Sequence, residues 1–425
     1  MPACCGVIGY RGREAILPMK SIAILLLVCT GLARPALAAP ADTLEQRAAT
    51  LHQSAIVLDT HLDTPMLFAR PDWRIGDRHS FDADFSQVDY PRMLEGGLDG
   101  GFWVIYTPQG ERTVAGNRAA RDFGLKRLVE IREMVAANAD RFEIALSADD
   151  AARIKKAGKR IVYISMENAS PLASDPSLLS AYYALGLRML GLVHSANDDF
   201  ADSSTNPGGP EFNGLSDKGR ALVAEANRLG LIIDLSHASD AVFDQVVELS
   251  KTPVVLSHTA SAALNAHPRN IDDARLRKLA ATGGVIQVNS VNQFLIKVPK
   301  NGERDAEFDR FFAIIEDGAA LTVEKRKQAM RLYREIEAKY PAPQATFEDY
   351  MKHMLHILEV AGPEHVGLGA DWDGGGGVSG MIDVASLPKI TERLLREGYS
   401  EAQIKGVLGG NLLRVMRAVE AARQP

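Results

Sequence analysis

The sequence predicts an α/β fold, a (β/α)8 barrel with its site at the C-terminal ends of the strands. Three observations predict it. Eight short apolar runs alternate with segments of helical spacing, which implies a parallel sheet covered by helices. Eight strands favour closure into a barrel over an open doubly wound sheet, and no Gly-x-Gly-x-x-Gly opens a helix after the first strand, as a dinucleotide fold requires. Residues able to do chemistry recur where the apolar runs stop, at His61 and Asp63, Glu167, His194, His237, His258 and Asp371. In a barrel those ends share one rim.

The N-terminal residues have the form of an export signal. Met19-Lys20 precedes an apolar run at 22–28 and a small-residue site, Ala36-Leu37-Ala38. Residues 1–38 are expected to be a signal peptide with an upstream extension, cleaved after Ala38, and 39–425 a single barrel domain. The apolar run is too short for a membrane span, so the mature protein is expected in the periplasm or secreted. Lipoprotein attachment at Cys29 is the rival, but Val28 stands where a small residue would be expected. All three cysteines, Cys4, Cys5 and Cys29, lie in this leader. The mature chain therefore has no disulfide, thiolate site or cysteine nucleophile.

The first strand is the run 55–64, ending in His61-x-Asp63. An Asp-rich loop, 72–89, leads to the strand 100–106, a long amphipathic helix at 115–139, a helix at 148–158 and the strand 160–167. Then come helix 178–187, strand 189–194, and helix 216–229 with Ser216 as N-cap and Gly230 just past its end. Strand 231–237, helix 240–250, strand 253–258, helix 272–282 and strand 284–289 come after it. Residues 297–345 break the rhythm with charged sequence read as a helical insertion, before helix 347–361, strand 365–371 and closing helices from Val384.

With 425 residues, 46% of them hydrophobic and 24% charged, the chain has the length and composition for a large core. Its formal charge is −6 and no basic stripe appears, which argues against a nucleic-acid partner.

Residues two apart on a strand point to the same side, so His61 and Asp63 can offer a nitrogen and an oxygen to one ion. Imidazoles and carboxylates suit zinc or a similar divalent ion. The rim inventory suits two ions, with Glu167 the residue expected to bridge them. Two ions ~3.5–4 Å apart can hold a shared hydroxide and polarise a carbonyl.

The motifs carry a specific resemblance. They are Asp59-Thr60-His61-Leu62-Asp63-Thr64-Pro65, Leu192-Val193-His194, Ile233-Asp234-Leu235-Ser236-His237-Ala238-Ser239 and Pro253-Val254-Val255-Leu256-Ser257-His258-Thr259. Further along stand Arg269-Asn270-Ile271-Asp272-Asp273, Gly367-Leu368-Gly369-Ala370-Asp371-Trp372-Asp373-Gly374 and Gly410-Asn411-Leu412-Leu413-Arg414-Val415. In order and over nearly the whole mature chain, they resemble the membrane (renal) dipeptidase family of zinc peptidases, within the amidohydrolase-like barrels. The resemblance implies two zinc ions and hydrolysis of a dipeptide by a metal-bridging hydroxide. It implies that His61 and Asp63 bind one zinc, His237 and His258 the other, and that Glu167 bridges. By the same token His194 would stabilise the oxyanion, Asp371 would handle the proton, and Arg269 would clamp the substrate's C-terminal carboxylate, as a guanidinium fork can.

Some positions depart from the family. Asn168-Ala169-Ser170 stands where Gly-Gly-His often comes after the glutamate, Trp372 replaces a usual Phe, and 289–292 lacks an aromatic cluster. These leave the preferred side chains open, along with the native metal and the oligomeric state, a homodimer being one option. A rival reading is another amidohydrolase, acting on an N-acyl amino acid, lactone or phosphoester. A second is a metal- or peptide-binding protein without turnover, against which Asp371 and His194 argue. His353 and His356, three apart on a helix, are read as surface residues. His52, His79, His267 and His365 have no motif context, and Gly374 to Gly377 reads as a rim loop.

Overall fold

The computed structural model describes residues 43–315 and 321–424; the expected signal peptide, its cleavage site and all three cysteines lie outside them. The described residues form nine strands: β1 Leu58–Leu62, β2 Gly100–Tyr106, β3 Phe142–Ile144, β4 Arg160–Glu167 and β5 Leu187–Gly191, then β6 Ile232–Asp234, β7 Val255–Thr259, β8 Val285–Val288 and β9 Val366–Leu368. They pair in parallel in the order β2-β1-β9-β8-β7-β6-β5-β4-β3, and a further β2–β4 pairing closes the ring. Eight strands thus make the barrel. The ninth, β3, pairs with β4 at Arg160 to Val162, below the point where β5 takes over at Ile164. At three residues, β3 is too short for a sequence pattern to mark.

The eight barrel strands are buried on both faces, and alternation sorts their side chains into two layers. Leu58, Phe102, Ile161, Tyr163, Met189, Ile232, Val255 and Val285 form one cluster, a set that seven strands share and that fills the barrel interior. The C-terminal helix, Asn411–Ala421, plugs this cluster with Leu412, Leu413, Val415, Met416 and Val419. Their neighbours Trp103, Ile105, Val162, Ile164, Leu190, Ile233, Leu256 and Ile286 belong to the larger outer cluster, against the helices. One end of the barrel is therefore sealed by apolar packing and the other is left for chemistry.

Among the described residues of 297–345 lie two helices, Gly302–Ile315 and Val323–Lys339, with a small core of their own around Phe311, Ala329 and Ile336. Among the described residues no helix is long and apolar enough to cross a membrane.

The loop before β2 is tied down by a buried ion cluster. Asp89 caps the helix Tyr90–Glu95 and takes Arg92 Nε at 2.6 Å, while Arg92 Nη1 reaches Asp383 Oδ2 at 3.0 Å and Nη2 the Ser86 carbonyl at 3.1 Å. Arg92 and Asp89 are 1% and 0% exposed. Removing one member of such a pair strands the other charge. Arg92→Met should therefore cost about 3–5 kcal/mol, read as a lower urea midpoint at unchanged slope.

Candidate metal centre

Each rim residue is aimed by a local feature of its strand. On β4 the inward face reads Ile161, Tyr163, Ser165, Glu167 by simple alternation, apolar at the bottom and a carboxylate at the top. On β1, Leu58 faces inward and strict alternation would turn His61 outward. The register against β2 slips by one residue between Asp59 and Leu62, a bulge that re-aims the chain, and Leu62 then packs in the outer cluster. The same slip occurs on β7 between Leu256 and Thr259 and brings His258 to the site. Several strands end sooner than the sequence suggests, and in two of them a histidine lies well past the end. β5 stops at Gly191 and β6 at Asp234, so His194 and His237 sit three residues past the ladder. In β6 the Asp234 carboxylate takes the Ser236 N–H at 3.1 Å, an Asx contact that competes with the sheet.

These elements converge on Glu167. His61 Nε2 lies 3.2 Å from Asp63 Oδ2 and 3.5 Å from Glu167 Oε2. Glu167 Oε1 lies 3.0 Å from His237 Nε2 and 3.7 Å from the Nε2 atoms of His258 and His194. His237 and His258 face one another, Nε2 to Nε2, at 2.9 Å. Three overlapping groups have ligand atoms all within 4.8 Å of each other: His61, Glu167 and His258; Glu167, His194 and His237; His61, Asp63 and Asp371.

The cluster is largely buried and dense in titratable groups. Burial would raise the Glu167 carboxyl, but His61 and His194 outweigh it and hold the group well below its usual range. Burial drives His237 and His258 well below the usual histidine range, with Arg269 adding to both shifts. Both imidazoles are therefore neutral and have a lone pair to give. His61 Nδ1, Asp63 Oδ1 and His237 Nδ1 are buried without a hydrogen-bond partner. Orphaned polar atoms at this density are costly, and a divalent ion is the partner that imidazoles and carboxylates share. The residues fit a metal.

Asp371 lies just beyond β9 in a left-handed backbone, φ 67°, which Asp tolerates better than most residues. Asn289 Nδ2 donates to it at 3.5 Å, and burial pushes its carboxyl up to about 7, His61 opposing and Asp63 and Glu167 adding to the rise. Gly374 closes over it. A Cβ there would lie 2.1 Å from Asp63 Oδ2 and 2.3 Å from Asp371 Oδ1, so only glycine lets the loop approach. Arg269 is 4% exposed. Its Nη2 donates to the His258 carbonyl at 3.2 Å, its guanidinium lies over Phe294, and Nε and Nη1 have no partner.

One contributor, Gln87, lies outside every motif. Asp373 Oδ1 takes the Gln87 N–H at 2.6 Å, Gln87 Oε1 takes the Asp373 N–H at 2.7 Å, and Thr64 Oγ1 donates to Asp373 Oδ2 at 2.6 Å. This clip joins the Asp371 loop to the segment just after Asp63. Asn168, after Glu167, has φ 58°, a conformation that Gly or Asn meets, which accounts for Asn where the family often has Gly.

The histidines away from the rim have structural partners. His353 is buried, not on the surface as its helical spacing suggests. Its Nδ1 accepts the Ser261 N–H at 3.1 Å and Nε2 donates to the Leu295 carbonyl at 2.9 Å. His356 meets Asp273 at 2.8 Å. His52 bonds Thr391 and the Gly96 carbonyl, His79 Asp84, and His365 the Gly284 carbonyl.

Residues 45–425 match the membrane dipeptidase family, peptidase family M19. Dipeptidase tcpJ of Claviceps purpurea is 29% identical over 361 residues, 84% of this chain and 75% of that protein. The crystal structure of the probable dipeptidase PvdM from Pseudomonas aeruginosa superposes with a TM-score of 0.76 at 28% identity, over 89% of this chain and 99% of that one. A metallo peptidase from Rhodobacter sphaeroides, solved with a phosphinate mimic of the dipeptide L-Ala-D-Ala, gives 0.67 at 26% identity, over 86% of this chain and 100% of that one.

Proposed function

The chain belongs to the membrane dipeptidase family and is a metal-dependent dipeptidase; we propose that it is an exported enzyme that works with two zinc ions. The observation that carries this reading is the sharing of Glu167 between two groups of ligand atoms. Those two groups pair Glu167 with His61 and His258 and with His194 and His237, but the resemblance divides the ligands differently. His61 and Asp63, 3.2 Å apart, would hold one ion, and His237 and His258, 2.9 Å apart, the other, with Glu167 between them. When bound, such a pair supplies Lewis-acid polarisation of the scissile carbonyl and brings the ionisation of water near neutral pH.

The remaining roles fall to the chain's own side chains. His194 can reach Glu167 and His237 but is the most open of the four imidazoles, with a side chain 21% exposed against 1% for His258. It suits hydrogen bonding to the carbonyl oxygen as charge develops there. Asp371 takes the proton of the attacking water and delivers it to the leaving amine. Arg269 meets the substrate's free carboxylate.

Arg269 makes dipeptide selectivity testable. Burial lowers the Arg269 guanidinium to about 10, so it stays cationic at neutral pH, with two unpartnered donors. A charge-assisted bidentate contact contributes ~1.5–3 kcal/mol, roughly one to two decades in kcat/KM. Amidating the C-terminus of a good dipeptide should cost at least that in wild type. In Arg269→Met, amidated and free dipeptides should become nearly equivalent. If the variant discriminates as wild type does, the carboxylate is read elsewhere.

A panel of dipeptides on metal-reconstituted mature protein tests the activity itself. The ligand of the Rhodobacter relative makes D-residues at the C-terminal position part of that panel. Export is tested by the N-terminus of the secreted product, expected at Ala39.

A further inference from the structure

Both histidines proposed for the second ion are preceded by serine, as Ser236-His237 and Ser257-His258, and both serines converge on one buried carboxylate. Asp234 Oδ1 accepts from Ser236 N at 3.1 Å, Ser236 Oγ at 2.9 Å and Ser257 N at 2.8 Å; Oδ2 accepts from Ser257 Oγ at 2.5 Å. Resting on the two-ion reading above, we propose that Asp234 and Ser257 are positioning residues that hold His258 in the tautomer whose Nε2 lone pair faces the metal.

Counting hydrogens fixes that tautomer. Each serine hydroxyl has a single hydrogen, and that of Ser257 goes to Asp234 Oδ2 at 2.5 Å, its shortest contact, ahead of Ser236 Oγ at 3.1 Å. Ser257 Oγ also lies 2.8 Å from His258 Nδ1, and toward that atom it can only accept. Nδ1 therefore carries the hydrogen and Nε2 is left unprotonated. That nitrogen is the one that lies 3.7 Å from Glu167 Oε1. Ser236 Oγ, in turn, accepts the His258 backbone N–H at 2.9 Å, so the same carboxylate anchors both ring and main chain. It also stands in for a sparse ladder, because β6 and β7 share a single register pair, Asp234 with Val255. His237 has no such support, since its Nδ1 is buried without a partner. His258 is the pre-set ligand and His237 the one the ion itself must orient.

A carboxylate reached through a second group also makes the imidazole a stronger donor, and loss of such outer partners typically weakens metal affinity about 10–100-fold. Three variants separate this role from packing. Ser257→Ala removes the acceptor for Nδ1–H. Ser257→Thr keeps it. Ser236→Ala removes a hydroxyl from Asp234 and the acceptor of the His258 backbone N–H but leaves Nδ1 paired. Zinc dissociation constants of stripped protein, measured by competition with a chromophoric chelator, and the visible spectrum of cobalt-loaded protein provide the readouts. Ser257→Ala should weaken one of two equivalents by about 10–100-fold and alter the cobalt bands. Ser257→Thr should restore both. Ser236→Ala, which loosens the His258 main chain but not the ring tautomer, should lower affinity less than Ser257→Ala and leave the cobalt bands closer to wild type.

Should Ser257→Ala not fold, Asp234→Asn applies the same test. Its amide nitrogen, turned toward Ser257, donates where the carboxylate accepted. The serine hydroxyl then points at His258 Nδ1 and moves the ring hydrogen to Nε2, with the same loss of affinity. Wild-type affinity in Ser257→Ala, or an equal loss in Ser236→Ala, overturns the proposal. A wild-type chain that takes up only one equivalent contradicts the two-ion reading instead, while the alanine-to-threonine comparison on that equivalent still decides the role of Ser257.

Discussion

Chelation should abolish dipeptide hydrolysis, and added zinc should restore it with about two ions bound per chain. The physical ground is the cost of burying this cluster without an ion. Four imidazoles and three carboxylates crowd one rim, several of their atoms without a partner. When a chelator has removed the ion, a proton can take its place. Burial would keep His61 neutral, but Glu167 and Asp63 raise its pKa well above the usual value, so His61 takes that proton. Loading a metal must then expel it, and affinity should fall as pH is lowered. Because the ion binds the folded state alone, its loss should also lower Tm; saturation at 1,000 times Kd is worth about 4 kcal/mol. His237→Ala should reduce both occupancy and Tm. Full activity with a single ion per chain would contradict the two-ion reading, and activity surviving complete metal removal would contradict metal dependence altogether.

How much of this architecture is legible in the sequence depends on how each part is encoded. β2 and β4 match their expected bounds residue for residue, because strands buried on both faces leave long apolar runs. β5, β6 and β9 are shorter than expected. Their ends leave the ladder where side chains such as Asp234 take over backbone N–H groups, and hydrophobicity does not record that exchange. The rim residues are legible because parallel strands bring their ends together whatever the loop lengths. The bulges on β1 and β7 that turn His61 and His258 inward are not, since a one-residue slip appears only against a neighbour strand. The burial of His353 escapes the sequence for a related reason. Its helix buries Tyr350, Met351, Met354 and Ile357, and the ring is satisfied by carbonyl and amide groups far away in the chain. The Gln87–Asp373 clip spans 286 residues and leaves no local trace.

Asp371→Asn should lower kcat by ~10²–10⁴-fold, the usual worth of a general acid-base group, with metal content nearly unchanged. The substitution suits the position. Asp371 has φ 67°, and Asn is among the few residues that accept a left-handed backbone, so no new strain enters. An alanine there would add strain and leave a gap under Gly374, whose backbone packs directly on Asp371 Oδ1. The amide preserves this contact and removes only the titrating group. That group is well matched to its task. A carboxyl buried beside Asp63 and Glu167 and raised to about 7 can both accept and return a proton near neutral pH. The competing role is ligation, because Asp371 shares a group with His61 and Asp63. Metal content separates the two roles. A proton carrier leaves both ions in place and KM little changed, since substrate binding does not need it. A ligand takes an ion with it, and added zinc should then recover part of the activity. Loss of metal in Asp371→Asn, or rescue by excess zinc, would therefore reassign Asp371 from proton transfer to the metal shell.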